Sequence, residues 1–317
     1  MEGAILYAST FIPQSSSFKQ MSVFQIPRSM IAFALALLPA MLFCSPEARA
    51  AEPEYSVHRD IVFAEVDGRK LALDLYLPAK QRAPLIVWVH GGAWAAGSKS
   101  DMPLGHLVPE GFAIASVDYR LSGVAPFPAQ AHDLKAAIRF LRARASELGV
   151  KADRIAIAGG SAGGHLAQLV GVTNGIPELE GSVGVTGASS DVQAILSFYG
   201  MSDFTTILQQ STPHGLSVRV PALQALLGGQ PSDKPELARL ASPVFHVNAK
   251  SPPLLLLHGD EDPQAPFEQS REMETAYKKA GARVQFDVIR GGGHGGEKFY
   301  DDQRIALVTQ FLNEVFP

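Results

Sequence analysis

The chain contains almost no cysteine: Cys44, close to the N-terminus, is the only one among 317 residues. A single cysteine cannot form an intramolecular disulfide bond, and beyond it there is no thiol to serve as a nucleophile. Hydrophobic residues make up 46% of the chain, which is a globular composition with enough apolar material for a large core.

Charge is also scarce, at 18% of residues, and 27 basic against 31 acidic side chains leave a net charge of -4. No basic cluster is present, so nucleic acid and anionic membrane surfaces are poor partner candidates. The nine histidines form neither His-Glu-x-x-His nor another compact ligand set, and we expect no metal. The glycines of residues 159–164 lack a suitable acidic residue about 20 positions further on within a βαβ unit, which a dinucleotide site needs, so no cofactor is expected.

The N-terminal segment differs in composition from the rest of the chain. Residues 31–43 are apolar apart from one proline, Arg28 precedes them, and an Ala-Arg-Ala sequence ends at residue 50. A basic segment, an apolar run of about a dozen residues and an Ala-x-Ala site are typical of a secretory signal peptide. The run is shorter than the roughly 20 residues that a membrane-spanning helix needs.

These features predict a signal peptide over residues 1–50, cleaved after Ala50. Met21 is the preferred start, which would make residues 1–20 a spurious upstream extension. The mature chain, residues 51–317, is then an exported protein, periplasmic or secreted, without a stable membrane span. Its length is compatible with a single domain.

Short apolar runs alternate with amphipathic segments through the mature chain. The first two runs flank Asp67-Gly68, a strong signal for a β-hairpin. The later runs do not alternate in polarity, as expected for strands covered on both faces. Predicted strands cover residues 61–66, 71–77, 84–90, 112–118, 155–158, 192–198, 253–258 and 284–289, and predicted helices cover 129–148, 162–172, 266–280 and 301–315.

This alternation predicts an α/β fold with a mostly parallel, doubly wound sheet of about eight strands and helices on both faces. Residues 201–250 have weak periodicity and several prolines. We interpret them as a small helical lid excursion over the carboxyl edge of the sheet, where a substrate would enter.

The most informative pattern is Gly159-x-Ser161-x-Gly163, which lies between a predicted strand and a predicted helix. The pattern fits a turn so tight that the serine takes strained backbone angles and exposes its hydroxyl at the carboxyl end of the sheet. Ser161 is therefore the candidate nucleophile, although an ordinary strand–turn–helix corner has the same pattern. The N–H group of Ala162, at a helix N-terminus, suits an oxyanion.

A serine hydroxyl needs a base to remove its proton, and His294, in a glycine loop after the last predicted strand, is the best candidate. The order Ser, Asp, His matches nucleophile-elbow hydrolases and supports His294. Among the three acids after the seventh predicted strand, Asp262 is chosen to orient the imidazole, because it lies deeper in the loop, before a Pro-bounded turn. Asp260 is expected to cap that turn, Asp203 is the reserve acid, and His258 is expected to be structural.

A second glycine turn, residues 90–94, follows the third predicted strand, where hydrolases of this pattern place donors for the tetrahedral intermediate. The backbone N–H groups of Gly92 and Ala93, together with that of Ala162, are the predicted oxyanion hole. His90 is expected to brace this loop. A plain glycine turn after a strand is the alternative.

Taken together with Asp118-Tyr119-Arg120-Leu121, these motifs resemble α/β-hydrolase serine esterases, from about residue 60 to the end. The group most resembled is the bifunctional feruloyl and acetyl-xylan esterases, near the hormone-sensitive-lipase-like esterases. The resemblance implies that Ser161 is the nucleophile, Asp262 the acid and His294 the base, with oxyanion donors at the second and third positions of the Gly-Gly-Ala turn. It also implies that the Asp-Tyr-Arg set is a structural hydrogen-bond network.

Three departures from the hormone-sensitive-lipase pattern favour an open-site carboxylesterase over a lipase. One is that no large N-terminal cap is expected before the glycine turn at residues 90–94. Ala93 stands where that pattern prefers a third glycine, and Ser122-Gly123 stands where it has Ala-Pro. Aromatic residues that either line the acyl pocket or belong to the core are Phe127, Phe198, Tyr199 and Phe204.

We therefore expect a serine-dependent carboxylic ester hydrolase that works through an acyl-enzyme and needs no cofactor. By resemblance and export, its substrates would be short-chain acyl or feruloyl esters, as small molecules or linked to plant polysaccharide. One alternative is a serine peptidase of the prolyl-oligopeptidase kind, which normally carries a large N-terminal domain not expected here. Another is a binding protein on a hydrolase scaffold, which should have lost the serine, acid, base or donors, whereas all four are present.

Overall fold

The structure is a computed structural model, and it describes residues 55–80 and 82–316. The predicted signal peptide, residues 1–50, lies outside these residues, so its cleavage and the export of the chain stay predictions. No helix in the described part is long and apolar enough to cross a membrane.

Eight strands form one sheet in the order β1-β2-β4-β3-β5-β6-β7-β8. β1 and β2 are antiparallel, β2 and β4 are antiparallel, and all other neighbours are parallel, so β2 alone runs against the rest. The predicted mostly parallel sheet of about eight strands is thereby confirmed. The strands are β1 (Tyr55–Val66), β2 (Arg69–Pro78), β3 (Ala83–Val89), β4 (Ala113–Val117), β5 (Val150–Gly160), β6 (Ala194–Phe198), β7 (Leu254–Gly259) and β8 (Val284–Ile289).

Helices connect the parallel strands and also form the excursion between β6 and β7. Short 3-10 helices cover Leu104–Leu107, Pro243–Phe245 and Glu297–Phe299. The α-helices are α1 (Ala129–Ala143), α2 (Ala162–Val172), α3 (Pro177–Glu180), α4 (Ile207–Gln210), α5 (Pro213–Leu227), α6 (Pro235–Leu240), α7 (Phe267–Ala280) and α8 (Asp302–Val315).

The opening hairpin forms where the sequence predicts it. Val66 pairs with Arg69, which leaves Asp67 and Gly68 as a two-residue turn. Both turn residues have positive φ, at 51° and 74°. This backbone matches the right-handed twist of the two strands and explains the Asp-Gly sequence.

Side chains of β3 show how the sheet is covered on both faces. Leu85, Val87 and Val89 belong to the apolar layer that also contains buried residues of α1, α2 and α7. Ile86 and Trp88 belong to the opposite layer, with buried residues of α8. Both faces of the strand are thus removed from water, which accounts for its unbroken apolar sequence.

Three boundaries differ from the sequence-based prediction by five residues or more. β1 begins at Tyr55 instead of residue 61, and the other two boundaries lie where α1 leads into β5. α1 ends at Ala143 instead of residue 148, and β5 begins at Val150 instead of residue 155. Gly149, with φ of 72°, reverses the chain between them, and Val150 then pairs with Ala83. The early part of β5 is half exposed and polar, so hydrophobicity alone does not mark it as a strand.

Candidate active site

Ser161 occupies the turn between β5 and α2 with φ of 55° and ψ of -118°. These angles are strained for a residue with a side chain, and its N–H group donates to the carbonyl of Phe198 at 2.9 Å. The flanking glycines are required sterically. A Cβ on Gly159 would lie 2.3 Å from the Gly163 oxygen, and one on Gly163 would lie 2.0 Å from the Val89 oxygen.

The imidazole of His294 joins this serine to the carboxylate of Asp262. The Ser161 hydroxyl lies 2.8 Å from Nε2 of His294, and Nδ1 of the same ring lies 2.7 Å from Oδ2 of Asp262. Because an ionised carboxylate only accepts hydrogen bonds, Nδ1–H is the donor and Nε2 is left to accept the serine proton. The three residues predicted as a catalytic triad are therefore brought into one hydrogen-bonded chain.

Glycine also brings the histidine loop onto the edge of the sheet. A Cβ on Gly259, the last residue of β7, would lie 2.1 Å from the oxygen of Gly292, which belongs to the loop after β8. Close approach of the two backbones lets the loop place His294 beside Ser161. The many glycines around the histidine serve this packing as well as flexibility.

Asp262 is buried, and each of its carboxylate oxygens has protein donors. Oδ1 accepts the N–H groups of Gln264 and Ala265 at 2.8 and 2.9 Å. Oδ2 faces His294 and, at 3.3 Å, Nε2 of His258. Burial alone would raise the pKa of the Asp262 carboxyl, but the hydrogen bonds from these two imidazoles outweigh burial and hold the pKa well below its usual range.

The other acids considered from the sequence have different environments. Asp260 accepts from the Arg290 side chain and the Gly291 N–H group, so it braces the turn after β8 instead of capping its own turn as expected. Asp203 accepts from the backbone and hydroxyl of Thr205, two residues further on. Neither of these acids is hydrogen-bonded to the triad within the part of the chain that the structure describes.

The turn after β3 lies against the serine. A Cβ on Gly91 would be 3.4 Å from the Cβ of Ser161, and Gly92 and Ala93 have φ of 95° and 52°. Their N–H groups, like that of Ala162, donate no hydrogen bond within the described residues. The turn is closed instead through the Gly92 carbonyl, which accepts from two later N–H groups. Free donors at this position suit a developing oxyanion.

The residues expected to brace this turn do so. The rings of His90 and Tyr119 are stacked with centroids 4.4 Å apart, and the Tyr119 hydroxyl donates to the His90 carbonyl at 3.2 Å. Arg120 pairs with the buried carboxylate of Asp133 on α1 through two nitrogens. Burial lowers the pKa of His90, which favours the neutral ring.

A cavity of about 790 Å³ opens above the nucleophile. Tyr199 lines it, with a ring 4.9 Å from that of His294, whereas Phe127, Phe198 and Phe204 belong to the core. Residues that line the cavity include Trp88, Gly92, Ala93, Ser161, Tyr199, Val218, Arg219, Gln264, His294 and Tyr300.

The sequence did not show how two residues near the site are placed. His258 was expected to be structural, and its ring contacts the triad carboxylate. Arg219 on α5 lines the cavity, although nothing in its helix sets it apart from a surface arginine in the sequence. Among the described residues, no cluster of three or more His, Cys, Asp or Glu side chains could hold a metal ion.

A strained serine on a strand–helix turn, an imidazole, a buried carboxylate and free amide donors define a class of protein, the α/β-hydrolase serine esterases. The chain belongs to the BD-FAE family, whose sequence model matches residues 73–277. The esterase LipC of Mycobacterium tuberculosis is 32% identical over 87% of this chain. The chain spans 70% of LipC and about half the length of two further curated relatives.

Solved structures agree with this assignment. A truncated carbohydrate esterase from gut microbiota is 32% identical, with a TM-score of 0.75, and the match covers 84% of this chain and 98% of that one. Esterase Est2 of the planctomycete Thermogutta terrifontis, in its propionate-bound form, is 29% identical, with a TM-score of 0.67 over 83% of this chain and 95% of that one. The family match and the solved structures thus place this chain among the α/β-hydrolase esterases.

Proposed function

We propose that the protein hydrolyses carboxylic esters in two steps through an acyl-enzyme on Ser161. The observation that carries this proposal is the unbroken chain of hydrogen bonds from Ser161 through His294 to Asp262, facing the free N–H groups of the turn after β3. Each component has the chemistry that acyl transfer needs: a nucleophile, a base, a group that orients the base, and donors for the oxyanion.

In the first step, the Ser161 oxygen attacks the ester carbonyl while Nε2 of His294 takes the hydroxyl proton. The carbonyl oxygen becomes an oxyanion, which the N–H groups of Gly92, Ala93 and Ala162 stabilise by about 3 kcal/mol per donor. The imidazolium then gives its proton to the leaving alcohol oxygen as the ester C–O bond breaks.

In the second step, water replaces the alcohol. His294 takes a proton from the water as its oxygen attacks the acyl carbon, and the C–O bond to Ser161 breaks as the serine regains a proton. Asp262 stays ionised throughout, because its pKa is held low by its donors, and it stabilises the charged imidazole in both steps.

We further propose that the enzyme is exported and acts on acetyl or feruloyl esters of plant polysaccharide. The signal-peptide pattern of residues 1–50 supports export. The likeness to a carbohydrate esterase and to a bifunctional GH43-CE protein of Bacteroides eggerthii supports a carbohydrate-linked ester. The propionate-bound relative supports a short acyl group.

The catalytic proposal is tested with p-nitrophenyl acetate and butyrate. We expect turnover by the wild type, and Ser161→Ala should lower kcat by about 10⁴-fold or more. Turnover that survives in Ser161→Ala would reject Ser161 as the nucleophile, and its absence in the wild type would favour a binding protein. Cleavage of a matching peptide p-nitroanilide at rates similar to the ester would favour the peptidase alternative.

The substrate proposal is tested by acetate release from acetylated xylan and ferulate release from methyl ferulate. A higher kcat/KM for these substrates than for unrelated simple esters is expected, and equal values would remove the support for a polysaccharide substrate. Export is tested by fractionating cells that express the full chain and sequencing the mature N-terminus. We expect it to begin at Ala51.

A further inference from the structure

Arg219 is a buried cation in the wall of the active-site cavity. It lies on α5, in the excursion over the carboxyl edge of the sheet, and only 1% of its surface is exposed. It lines the same cavity as Ser161 and His294. Arginine is among the residues least often buried unless paired, so its position needs an explanation.

No hydrogen-bond acceptor in the described part of the protein compensates for burial of the Arg219 guanidinium. The Nε and Nη1 atoms of Arg219 are buried without a hydrogen-bond partner, and the guanidinium forms no ion pair within the described residues. Asp262 is the carboxylate that most influences it, but the Asp262 oxygens are already engaged by His294, His258 and two backbone N–H groups. Buried donors are normally satisfied, and an exception calls for a functional reason.

The guanidinium of Arg219 contacts the aromatic ring of Trp94. Its central carbon lies 5.4 Å from the ring centroid of Trp94. The Trp94 indole is itself fixed, because Nε1–H donates to Nδ1 of His165 at 3.2 Å and Phe204 packs against the ring. A cation–π contact uses the charge of a guanidinium and not a hydrogen-bond acceptor, so it leaves the N–H donors available for a planar acceptor.

Arg219 remains charged at neutral pH. Burial lowers the pKa of Arg219 to about 10, and attraction to the Asp262 carboxylate partly opposes this shift. A cavity with a permanent positive charge in its wall attracts an anion. Asp101 is the other lining residue with a permanent charge, and it is exposed, with its carboxylate bonded to the Ser98 N–H group.

We propose that Arg219 is a carboxylate-binding subsite, so that the enzyme selects esters that carry a carboxylate in their acyl or alcohol part. This inference rests on the ester hydrolysis proposed above. A planar carboxylate matches the paired donors of a guanidinium, and its single negative charge matches the single cation in the wall. A carboxylate bound there positions the ester carbonyl relative to Ser161, so the gain appears in kcat/KM.

Two pairs of substrates distinguish the acyl side from the alcohol side. Mono-p-nitrophenyl adipate and p-nitrophenyl hexanoate have equal acyl length and differ in a terminal carboxylate on the acyl part. Acetoxybenzoate and acetoxybenzamide, both para-substituted, differ in a carboxylate on the leaving group. In each pair, the ratio of kcat/KM for the charged ester to that for the neutral ester is measured, so a general loss of activity cancels.

For at least one pair, we expect the ratio to be tenfold or more higher in the wild type than in Arg219→Met. Arg219→Lys, which keeps the charge but not the paired donors, should lie between the two. The matched control is Arg239→Met, the same substitution at an exposed arginine of α6, and it should keep the wild-type ratio. The pair that responds identifies the side on which the carboxylate lies.

Stability provides a second readout. Because the Arg219 guanidinium has neither a hydrogen bond nor an ion pair within the described residues, Arg219→Met should not lower Tm, whereas replacing a hydrogen-bonded structural arginine would lower it. The inference is overturned if the wild type shows no preference for the charged ester in either pair, which requires no variant. If the enzyme hydrolyses neutral esters but does not prefer the charged ester in either pair, the carboxylate subsite is rejected and the proposed function stands. If the enzyme hydrolyses no ester at all, both the proposed function and the subsite are rejected.

Discussion

His258 and Asp262 are joined by a hydrogen bond, with Nε2 of the histidine 3.3 Å from Oδ2 of the carboxylate. The same nitrogen lies 3.1 Å from the carbonyl of Ala265, and Nδ1 lies 2.7 Å from the Ser270 hydroxyl. Since both neighbours of Nε2 only accept, Nε2 carries the proton and Nδ1 accepts from the serine. A second imidazole therefore contacts the same oxygen of the triad carboxylate as His294.

Replacing this histidine by phenylalanine should reduce both stability and activity. The variant His258→Phe removes a donor from Asp262 and leaves the Ala265 carbonyl unpaired, so the free energy of unfolding should fall by about 1–3 kcal/mol. Urea unfolding at pH 7 measures this loss. A kcat that falls more than tenfold without a comparable rise in KM would fit a role in positioning Asp262.

The loss of stability expected for His258→Phe should depend on pH, with a direction set by the Asp262 carboxyl. The folded-state pKa of Asp262 is depressed, so its ionised form stabilises the protein above the unfolded pKa, and this contribution disappears as pH falls through the folded pKa. The stability difference between wild type and His258→Phe should therefore stay constant from pH 7 to about pH 4 and narrow only at lower pH, as the pH approaches the depressed folded-state pKa of Asp262. Ser270→Ala, which leaves the contact to Asp262 intact, should show a smaller loss without that narrowing.

Asp262→Asn tests the orientation of the catalytic imidazole. An asparagine amide that donates to Nδ1 of His294 would place the ring proton on Nε2, which could then no longer accept the Ser161 proton. We expect kcat to fall by about 10⁴-fold with little change in the overall fold. Circular dichroism confirms folding, and Asp260→Asn serves as the control, because Asp260 braces the turn after β8 and should change kcat far less.

Much of this site could be predicted because its constraints are local in sequence. The backbone angles of Ser161 and the close contact between Gly163 and Val89 follow from one short turn, and that turn needs glycines at fixed spacing. The chain order of serine, acid and base then restricted the partners to residues after β5, with Asp262 after β7 preferred to Asp203 after β6. The central strands of the sheet could also be predicted from the sequence, because burial on both faces makes them continuously apolar.

Other features depend on tertiary packing and carry no local signal. His258 ends a buried strand, and only the fold shows that its ring reaches Asp262. Arg219 sits in a helix interrupted by Pro221, and its burial follows from how α5 lies over the sheet. The prediction that Asp260 caps the turn in its own loop was wrong for the same reason, because its hydrogen-bond partners lie in the turn after β8.

Gly163→Ala tests the packing of the nucleophile helix against β3. A Cβ at this position would lie 2.0 Å from the Val89 oxygen and 2.6 Å from the His90 oxygen, so α2 must move away from the strand. We expect a loss of about 3 kcal/mol and a drop in kcat, because Ser161 and the N–H group of Ala162 would move with the helix. Gly123→Ala is the control, since its Cβ meets no atom within 4 Å, and its Tm should change little.

The buried pair of Lys135 on α1 and Glu180 on α3 should respond unequally to removal of its two partners. Lys135 is fully buried and donates to Glu180 at 2.5 Å and to the carbonyl of Thr173 at 2.7 Å. The Glu180 side chain is 28% exposed and also accepts from the Ser190 hydroxyl, so it keeps solvent and a partner when the lysine is lost.

Glu180→Gln leaves an unbalanced buried cation and should lower the free energy of unfolding by about 3 kcal/mol, whereas Lys135→Met should lower it by about 1 kcal/mol. Urea unfolding of both variants and of the double variant measures this asymmetry, and the double variant should be more stable than Glu180→Gln alone. Equal losses in the two single variants would mean that the lysine is better solvated than its burial indicates.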